Sequence, residues 1–249
     1  NEAFTGLKKK LLATLQRVYE NPVDIEYTVN CGENGDFLVN LLQCRPLYVG
    51  QNREAVRIPA LKAERTFFDI YDTCMGRSSC RKLDALVLVD PKEYYEYPYA
   101  RKSEVAGVIG RINRYFLSQP EKKNVLLAVP GRIGTSSPEL GIPAAFAGLS
   151  GYCGICEVSD DRAGYMPELS FGSHMFQDLV EADIFYADRK EICYHRDCFA
   201  DCPDLFAKIC PQEEGLSSMI SVYDLAGMEA YLWMDAPGAH AACGVKDGE

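Results

Sequence analysis

The segment Asn124–Phe146, NVLLAVPGRIGTSSPELGIPAAF, decides how the second half of the chain is interpreted. It begins with the apolar run VLLAV at 125–129, which has the length and composition of a buried strand. The run ends at Pro130-Gly131, where a polar, glycine-rich loop begins. Because α/β sheets bind ligands at loops that follow their buried strands, this loop is the first candidate for a functional site.

The loop carries groups that suit an anion. Glycines let backbone N–H groups approach the ligand, hydroxyls add donors, and an arginine supplies a fixed charge with a planar fork. The candidate ligand-binding residues here are Gly131, Arg132, Gly134, Thr135, Ser136 and Ser137. A long surface turn is an equally good interpretation, since the spacing matches neither GxGxxG nor a P-loop.

Size and charge exclude several classes of protein. The 249 residues suffice for one large domain or two smaller ones, and 47% of them are hydrophobic. No apolar run approaches the roughly 20 residues of a membrane helix, and no secretion leader is visible. The net charge of −10 argues against a nucleic-acid-binding surface. We therefore expect a cytoplasmic protein that binds neither membrane nor nucleic acid.

The cysteines fit free thiols in a reducing compartment. There are eleven, an odd number, at irregular spacings. The CxxC motif at 153–156 falls within an apolar strand, where successive side chains alternate between faces. A second run contains metal-capable residues without a paired knuckle, so zinc or an iron–sulfur cluster is the minor alternative there. Its members are Cys193, His195, Cys198, Cys202 and Cys210.

The N-terminal region predicts a helix followed by a hairpin. Apolar residues recur at helical spacing over 2–20, and Asn21-Pro22 ends the helix. Alternating strands then flank Asn34-Gly35, the strongest short hairpin signal. A two-residue turn at this dipeptide would place Glu26 opposite Gln43 and Asp24 opposite Arg45, with all four side chains on one face.

A carboxylate, an amide and a guanidinium would then meet at the open end of the hairpin. Such a set can hold Mg²⁺ through its oxygens while the arginine binds a phosphate. A surface ladder of ion pairs, with little effect on stability, is the alternative.

The segments DIEY at 24–27 and LQCRP at 42–46 resemble the end of the ATP-grasp nucleotide-binding domain of pyruvate phosphate dikinase and phosphoenolpyruvate synthase. The resemblance covers about the first fifth of the chain. It implies that Glu26 and Gln43 bind the magnesium ion that accompanies ATP, and that Arg45 contacts the transferred phosphate. These three residues are therefore the catalytic candidates.

The remainder is similar to an extra C-terminal module of some phosphoenolpyruvate-synthase-like proteins, through GRIGTSSPELGIP at 131–143 and GSHMFQD at 172–178. Those relatives usually carry tryptophan at the position of Ile133 and aspartate near Ser137. Ser173 is a good N-cap for a helix beginning at His174, and a helix N-terminus suits an anion. His174 is thus a ligand contact, a proton shuttle or a phosphate acceptor, or else a histidine packed beside the start of its own helix.

The expected fold is α/β. Residues 1–50 would form the C-terminal end of an ATP-grasp-like domain, a helix plus a β-hairpin, and 51–82 a connection. Residues 83–249 would form a mixed, partly parallel sheet module, which begins with a right-handed βαβ unit over 83–129. Its last predicted element is a hairpin of 219–225 with 230–234.

The expected function follows from the resemblance. The chain would be a fragment of a longer ATP-dependent phosphotransferase that uses Mg²⁺ and ATP, and by itself it would not turn over ATP. Its partners would be the rest of its own chain and a small phosphorylated or carboxylic-acid ligand; the acceptor substrate stays open. The alternatives are a non-catalytic regulatory module that binds a phosphometabolite or nucleotide, and a structural module that forms a homodimer.

Overall fold

A computed structural model describes residues 2–19, 23–32, 36–46, 54–158, 174–189, 196–199 and 201–246. The chain divides into two compact units, Asn1–Gln51 and Asn52–Glu249. Both contain helices and strands, so the predicted α/β class is confirmed. Across these residues, no helix combines the length and apolarity that crossing a membrane requires.

The first unit is one helix on a two-stranded sheet. Its elements are α1 (Glu2–Tyr19), β1 (Val23–Cys31) and β2 (Phe37–Pro46). The ring of Phe4 contacts the rings of Tyr27 and Phe37, with centroids 6.0 and 5.6 Å apart. These contacts place the helix on the hairpin face that carries Tyr27 and Phe37.

The second unit has three layers. Its elements are β3 (Thr66–Tyr71), β4 (Cys74–Met75), β5 (Ser79–Lys82), β6 (Ala85–Val89), α2 (Pro91–Glu96), α3 (Lys102–Leu117), β7 (Val125–Pro130), β8 (Gly154–Val158), α4 (His174–Glu181), β9 (Phe185–Arg189), α5 (Phe206–Ile209), β10 (Ile220–Asp224), β11 (Ala230–Asp235) and β12 (His240–Val245). A six-stranded sheet has the order β10-β6-β7-β8-β9-β4, and a four-stranded antiparallel sheet has the order β3-β12-β11-β5.

The larger sheet is covered on both faces. Val87 of β6 and Leu127 of β7 belong to one apolar core with Ile109 of α3. Their neighbours Leu86 and Leu126 belong to a second core, which the four-stranded sheet completes. Every residue of β6, β7 and β8 is therefore buried, as expected for parallel strands between two layers.

The predicted βαβ unit is confirmed. Strand β6 leads through α3 to β7, and the two strands pair in parallel with Ala85 opposite Val125. Strands β8 and β9 continue the parallel sheet. The carboxyl ends of four strands thus lie along one edge, where the glycine-rich loop follows β7.

Two predictions about element placement are wrong. Residues 66–82, predicted to connect two modules, instead form β3, β4 and β5. The predicted terminal hairpin does not form, because β10 pairs with β6 in one sheet while β11 pairs with β12 in the other. The prediction paired β10 with β11 because they are apolar and close in sequence. The chain instead passes from the larger sheet to the smaller one between these two strands.

Candidate functional site

The polar face of the hairpin is the first candidate site. Glu26 lies opposite Gln43 and Asp24 lies opposite Arg45, the pairings that the sequence predicted. Side chains alternate along a strand, so these four residues share the face opposite Tyr27 and hence opposite α1. Asn40 donates to the Thr28 hydroxyl on the same face at 3.4 Å. The side chain of Arg45 lies outside the described part of the structure.

A β-bulge produces this pairing. Cys31 lies opposite Phe37, so the predicted two-residue turn is wrong; the Asn34-Gly35 dipeptide itself lies outside the described residues. Tyr27 pairs with Leu41 and Glu26 pairs with Gln43, which leaves Leu42 as an extra residue. This extra residue shifts the register by one and brings the polar residues of β2 onto the carboxylate face.

The donor set of this face suits Mg²⁺ in part. The ion prefers oxygen ligands and usually keeps several waters, with one or two carboxylates from the protein. Asp24 and Glu26 supply carboxylates, and Gln43 supplies an amide oxygen. Among the described residues no group of three or more His, Cys, Asp or Glu side chains is placed to hold a metal. Waters and ligand phosphates would have to complete the coordination.

The glycine-rich loop at the sheet edge is the second candidate. Its first four backbone N–H groups donate within the protein, to the carbonyls of Val158, Leu140 and Ile142 and to the carboxylate of Glu157. The amides of Gly131, Arg132, Ile133 and Gly134 are therefore not directed at a ligand. No described acceptor lies within hydrogen-bond distance of the N–H groups of Thr135 and Ser136.

The side chains of this loop differ in whether they already hydrogen-bond within the protein. The Thr135 hydroxyl accepts from the Ser137 amide at 3.1 Å. Ser136 is exposed. Arg132 is half-buried, and its guanidinium has no hydrogen-bond or ion-pair partner among the residues that the structure places. Among the members of the predicted set whose side chains the structure describes, Arg132 is thus the one charged donor available to an anion.

The loop and the start of α4 lie side by side, as the anion-site hypothesis requires. A Cβ atom at Gly134 would lie 2.6 Å from the Met175 methyl carbon. The helix begins at His174, as predicted, but the side chain of His174 and all of Ser173 lie outside the described residues. Part of the space between loop and helix is filled by the apolar Met175 side chain.

A buried carboxylate fixes the loop from beneath. Glu157, in β8, is fully buried; its two oxygens accept from the Ile133 N–H at 2.8 Å and the Tyr186 hydroxyl at 2.9 Å. Burial, and next the neighbouring carboxylate, raise the pKa of Tyr186. The sequence analysis did not predict the burial of Glu157, because that burial depends on partners from the loop after β7 and from β9.

A buried lysine lies at the other side of the loop. Lys102 is 5% exposed, and its ammonium lies 4.5 and 5.1 Å from the ring centroids of Tyr94 and Tyr95. Within the described part of the chain its one hydrogen bond goes to the Tyr95 carbonyl and is long, at 3.4 Å. Burial lowers the pKa of Lys102, and the carboxylate of Glu139 partly opposes this.

Tyr94 links Lys102 to the loop. Its hydroxyl lies 2.6 Å from the Gly141 carbonyl and 2.9 Å from that of Pro138. The sequence analysis did not single out Lys102. One signal in the sequence could have identified it. Lys102 is the first residue of α3, and the helix dipole disfavours a positive charge at that end.

Comparisons with known proteins identify no relative. No family model matches the chain, and searches of curated proteins and of solved structures found no significant match.

Proposed function

We propose that the first unit contributes magnesium and phosphate contacts to a nucleotide site, as part of an ATP-dependent phosphotransferase of the phosphoenolpyruvate-synthase type. Glu26 and Gln43 would hold Mg²⁺ and Arg45 would contact the phosphate. The observation that carries the proposal is the pairing of Glu26 with Gln43 and of Asp24 with Arg45 on one hairpin face.

The chemistry expected of these residues is electrostatic. Phosphoryl transfer depends mainly on positioning and on neutralising the charge that spreads over the phosphate oxygens. Mg²⁺ supplies part of that neutralisation when it is bound. The carboxylates of Asp24 and Glu26 would anchor the cation, and the guanidinium of Arg45 would orient a phosphate through paired hydrogen bonds. The remaining nucleotide contacts would come from the rest of a longer chain.

Calorimetry and Mn²⁺ electron paramagnetic resonance on the whole chain test this proposal. ATP with Mg²⁺ or Mn²⁺ should bind, and Glu26→Gln should weaken metal-dependent binding by roughly tenfold or more, as loss of a ligand-shell group does. Arg45→Met should weaken ATP binding while leaving free Mn²⁺ binding unchanged. Glu121→Gln removes an equally negative side chain from an 85%-exposed position of the second unit and serves as the control.

Equal ATP affinity in the wild-type protein and in Glu26→Gln would overturn the proposal. ATP binding of the same strength with and without divalent cations would also overturn it. The carboxylates of Asp24 and Glu26 repel phosphate unless a cation lies between them, so binding at this face must depend on the metal.

A second candidate function is the binding of a small phosphate- or carboxylate-bearing ligand at the sheet edge, without catalysis. The guanidinium of Arg132 favours it, together with the buried ammonium of Lys102, which makes one long hydrogen bond to the residues that the structure describes. Buried cations are ordinarily paired, and within the described residues no carboxylate lies at ion-pair distance from Lys102.

Nuclear magnetic resonance tests this second function. Inorganic phosphate or pyruvate should shift the backbone amide signals of Thr135 and Ser136. Arg132→Met should abolish that shift, and Lys123→Gln, which changes a lysine remote from the loop, should preserve it. Absence of shifts with both ligands at millimolar concentration would exclude the function.

A further inference from the structure

The outer edge of strand β1 is a surface that neither candidate site uses. Within the part of the chain that the structure describes, β1 pairs with β2 on one side and with no strand on the other. Its nine residues, Val23–Cys31, include no lysine, proline or glycine, and the bulge of the hairpin lies in β2. Such features ordinarily keep other strands off an exposed edge, so the edge of β1 can accept a further strand.

The hydrogen bonds next to the turn show which residues face this edge. The Gly32 amide donates to the Asp36 carbonyl at 2.8 Å, which makes the adjacent pair of Cys31 and Phe37 a non-hydrogen-bonded pair. Pairs of the two kinds alternate along an antiparallel ladder. The odd-numbered residues of β1 therefore direct their N–H and C=O groups away from β2, toward the outer edge.

A second β1 strand fits this edge about a two-fold axis at Tyr27. Tyr27 is the middle residue of β1, so an antiparallel pair centred there uses all nine residues of both strands. The outward N–H and C=O groups of the two copies then lie opposite each other, as an isologous contact requires. Tyr27 pairs with its own copy, and Ile25 pairs with Val29. Aromatic and β-branched cross-strand pairs of this kind are stabilising.

The charges of β1 favour this register over its neighbours. With the axis at Tyr27, the polar face has Asp24 opposite Asn30 and Glu26 opposite Thr28, so no two like charges pair directly. An axis two residues or one residue earlier would place carboxylates opposite each other. An axis closer to the end of β1 would leave its first residues unpaired. The axis at Tyr27 is thus the one that pairs the whole strand without opposing like charges.

The same axis lets the two helices pack together. Paired residues lie on one face of a sheet, so both copies of α1 would lie on the same face, opposite the polar residues. Phe4 contacts rings from both strands, so α1 lies over the hairpin. With strands about 4.8 Å apart, the two helices would lie roughly 10 Å apart, the distance at which helices pack. This contact would add to a unit in which Val23 is the one buried hydrophobic residue among those described.

We propose that β1 is a dimerisation strand, which pairs with β1 of a second copy of this chain about a two-fold axis at Tyr27. The dimer joins the two hairpins into one four-stranded antiparallel sheet, in the order β2-β1-β1-β2. It pairs backbone groups that an isolated two-stranded sheet leaves to water, and a two-stranded sheet alone is only marginally stable. The proposal does not depend on the proposed phosphotransferase function.

Sedimentation velocity of the whole chain over a range of concentrations tests the dimer. The wild-type protein should show a concentration-dependent equilibrium between monomer and dimer. Thr28→Glu should weaken the dimer by about fivefold, because each added carboxylate faces Glu26 of the other copy, and Thr28→Lys should strengthen it by a similar factor. Asn40→Glu is the matched control, because it loses the same Asn40–Thr28 hydrogen bond but lies on β2, away from the axis. It should match the wild type.

A second pair of variants tests the backbone edge itself. Val29→Pro removes an outward N–H group of β1 and should abolish the dimer. Val39→Pro changes the residue opposite Val29, removes the equivalent group from the far edge of β2, and should keep the dimer. In a mixture of labelled and unlabelled protein, a nuclear Overhauser contact between the α-protons of Glu26 and Thr28 of different copies identifies the register.

A wild-type protein that stays monomeric at its highest soluble concentration would overturn the proposal. A dimer that is equally strong in Thr28→Glu and Thr28→Lys would also overturn it, because the contact would then lie elsewhere. These charge variants change only an exposed side chain and keep the test valid if Val29→Pro misfolds. Glu26→Gln, which should weaken metal binding under the proposed function, should leave the dimer intact, so the two proposals fail separately.

Discussion

Tyr94, Tyr152 and Tyr186 each bury a phenol whose hydrogen bond fixes another segment. Tyr94 donates toward the loop after β7, Tyr152 donates to the Ile109 carbonyl of α3 at 3.0 Å, and Tyr186 donates to Glu157. None is more than 3% exposed. Burial is the main cause that raises the pKa of all three phenols.

These tyrosines predict how stability depends on pH. Their pKa values in the folded protein lie above the value of about 10 in the unfolded chain, so the folded state keeps protons that the unfolded state releases. Stability is therefore fully retained below pH 10 and falls as the pH rises further, by up to about 1.4 kcal/mol per pH unit for each phenol. Urea unfolding between pH 8 and 11 measures this slope.

Substitution separates the tyrosine effect from general alkaline damage. Tyr186→Phe should reduce the slope and cost about 1.5–3 kcal/mol at neutral pH, because it leaves a buried carboxylate short of a donor. Tyr99→Phe, at a 62%-exposed position, should change neither quantity. A slope that is identical in the wild-type protein and Tyr186→Phe would contradict the assignment.

The loop after β7 tolerates no side chain at Gly141. A Cβ atom there would lie 2.2 Å from the Arg132 carbonyl oxygen, and the residue has a φ of +149°. We expect Gly141→Ala to destabilise the protein by about 2–4 kcal/mol, from backbone strain and steric overlap together. Gly227→Ala is the matched control, because nothing lies within 4 Å of its added carbon. Thermal unfolding that is equal in both variants would disprove the close approach.

At the scale of elements, the β1–β2 hairpin shows what the pattern of residues determines. The alternation of polar and apolar residues correctly predicted that Glu26 faces Gln43. Next to the turn the predicted pairing of the strands was wrong by one residue, since Cys31 lies opposite Phe37 and not Leu38. The bulge at Leu42 restores the predicted pairing at Glu26 and Gln43. Leu41 and Leu42 are identical in type, so no sequence signal distinguishes a paired leucine from an extra one.

Deletion of Leu42 provides a test of the register. Without the extra residue the strands pair continuously, and Gln43 still lies opposite Glu26 on the same face. We therefore expect the deletion to retain metal-dependent ATP binding within about threefold, since the ligands keep their face while the local twist changes. Deletion of Leu41 and Leu42 together should abolish binding, because it removes one residue more than the bulge can supply and moves Gln43 opposite Tyr27, onto the other face of the hairpin. Binding that is lost in both variants would show that the bulge itself, not the register, makes the site.

At the scale of the whole molecule, the two units differ in how much core they bury. Among the described residues of the first unit, Val23 is the one buried hydrophobic residue, while Leu38 and Leu42 are more than 60% exposed. The second unit contains two extensive cores on either side of its larger sheet. We expect the first unit to be locally less stable than the second, because a segment with few buried contacts opens at a low cost in free energy.

Hydrogen exchange measured by mass spectrometry on the whole chain tests this difference. Amides of β1 and β2 should exchange through openings of low free energy, and those of β7 and β8 only through global unfolding. Equal protection of β1 and β7 would contradict the expectation that the first unit lacks an adequate core.

Sequence analysis predicted the local, strongly patterned parts of the second unit and missed those that depend on distant contacts. The apolar run of β7 was identified from its length and composition, and the parallel βαβ unit over 83–129 was predicted correctly. Strand β5, with the sequence SCRK, has no apolar pattern, and β4 is two residues long. Burial of Lys102 and Glu157 escaped prediction because charged residues are usually exposed, and because the partners of Glu157 lie 24 and 29 residues away in sequence.

Paramagnetic relaxation by Mn²⁺·ATP, recorded on the backbone amides of the isotope-labelled chain, tests the central claim most directly. The account predicts that broadening is strongest at residues 24–28 and 41–45, on the polar face of the hairpin, and that it disappears in Glu26→Gln. Broadening centred on residues 131–137, or broadening of the hairpin that is unchanged in Glu26→Gln, would contradict it.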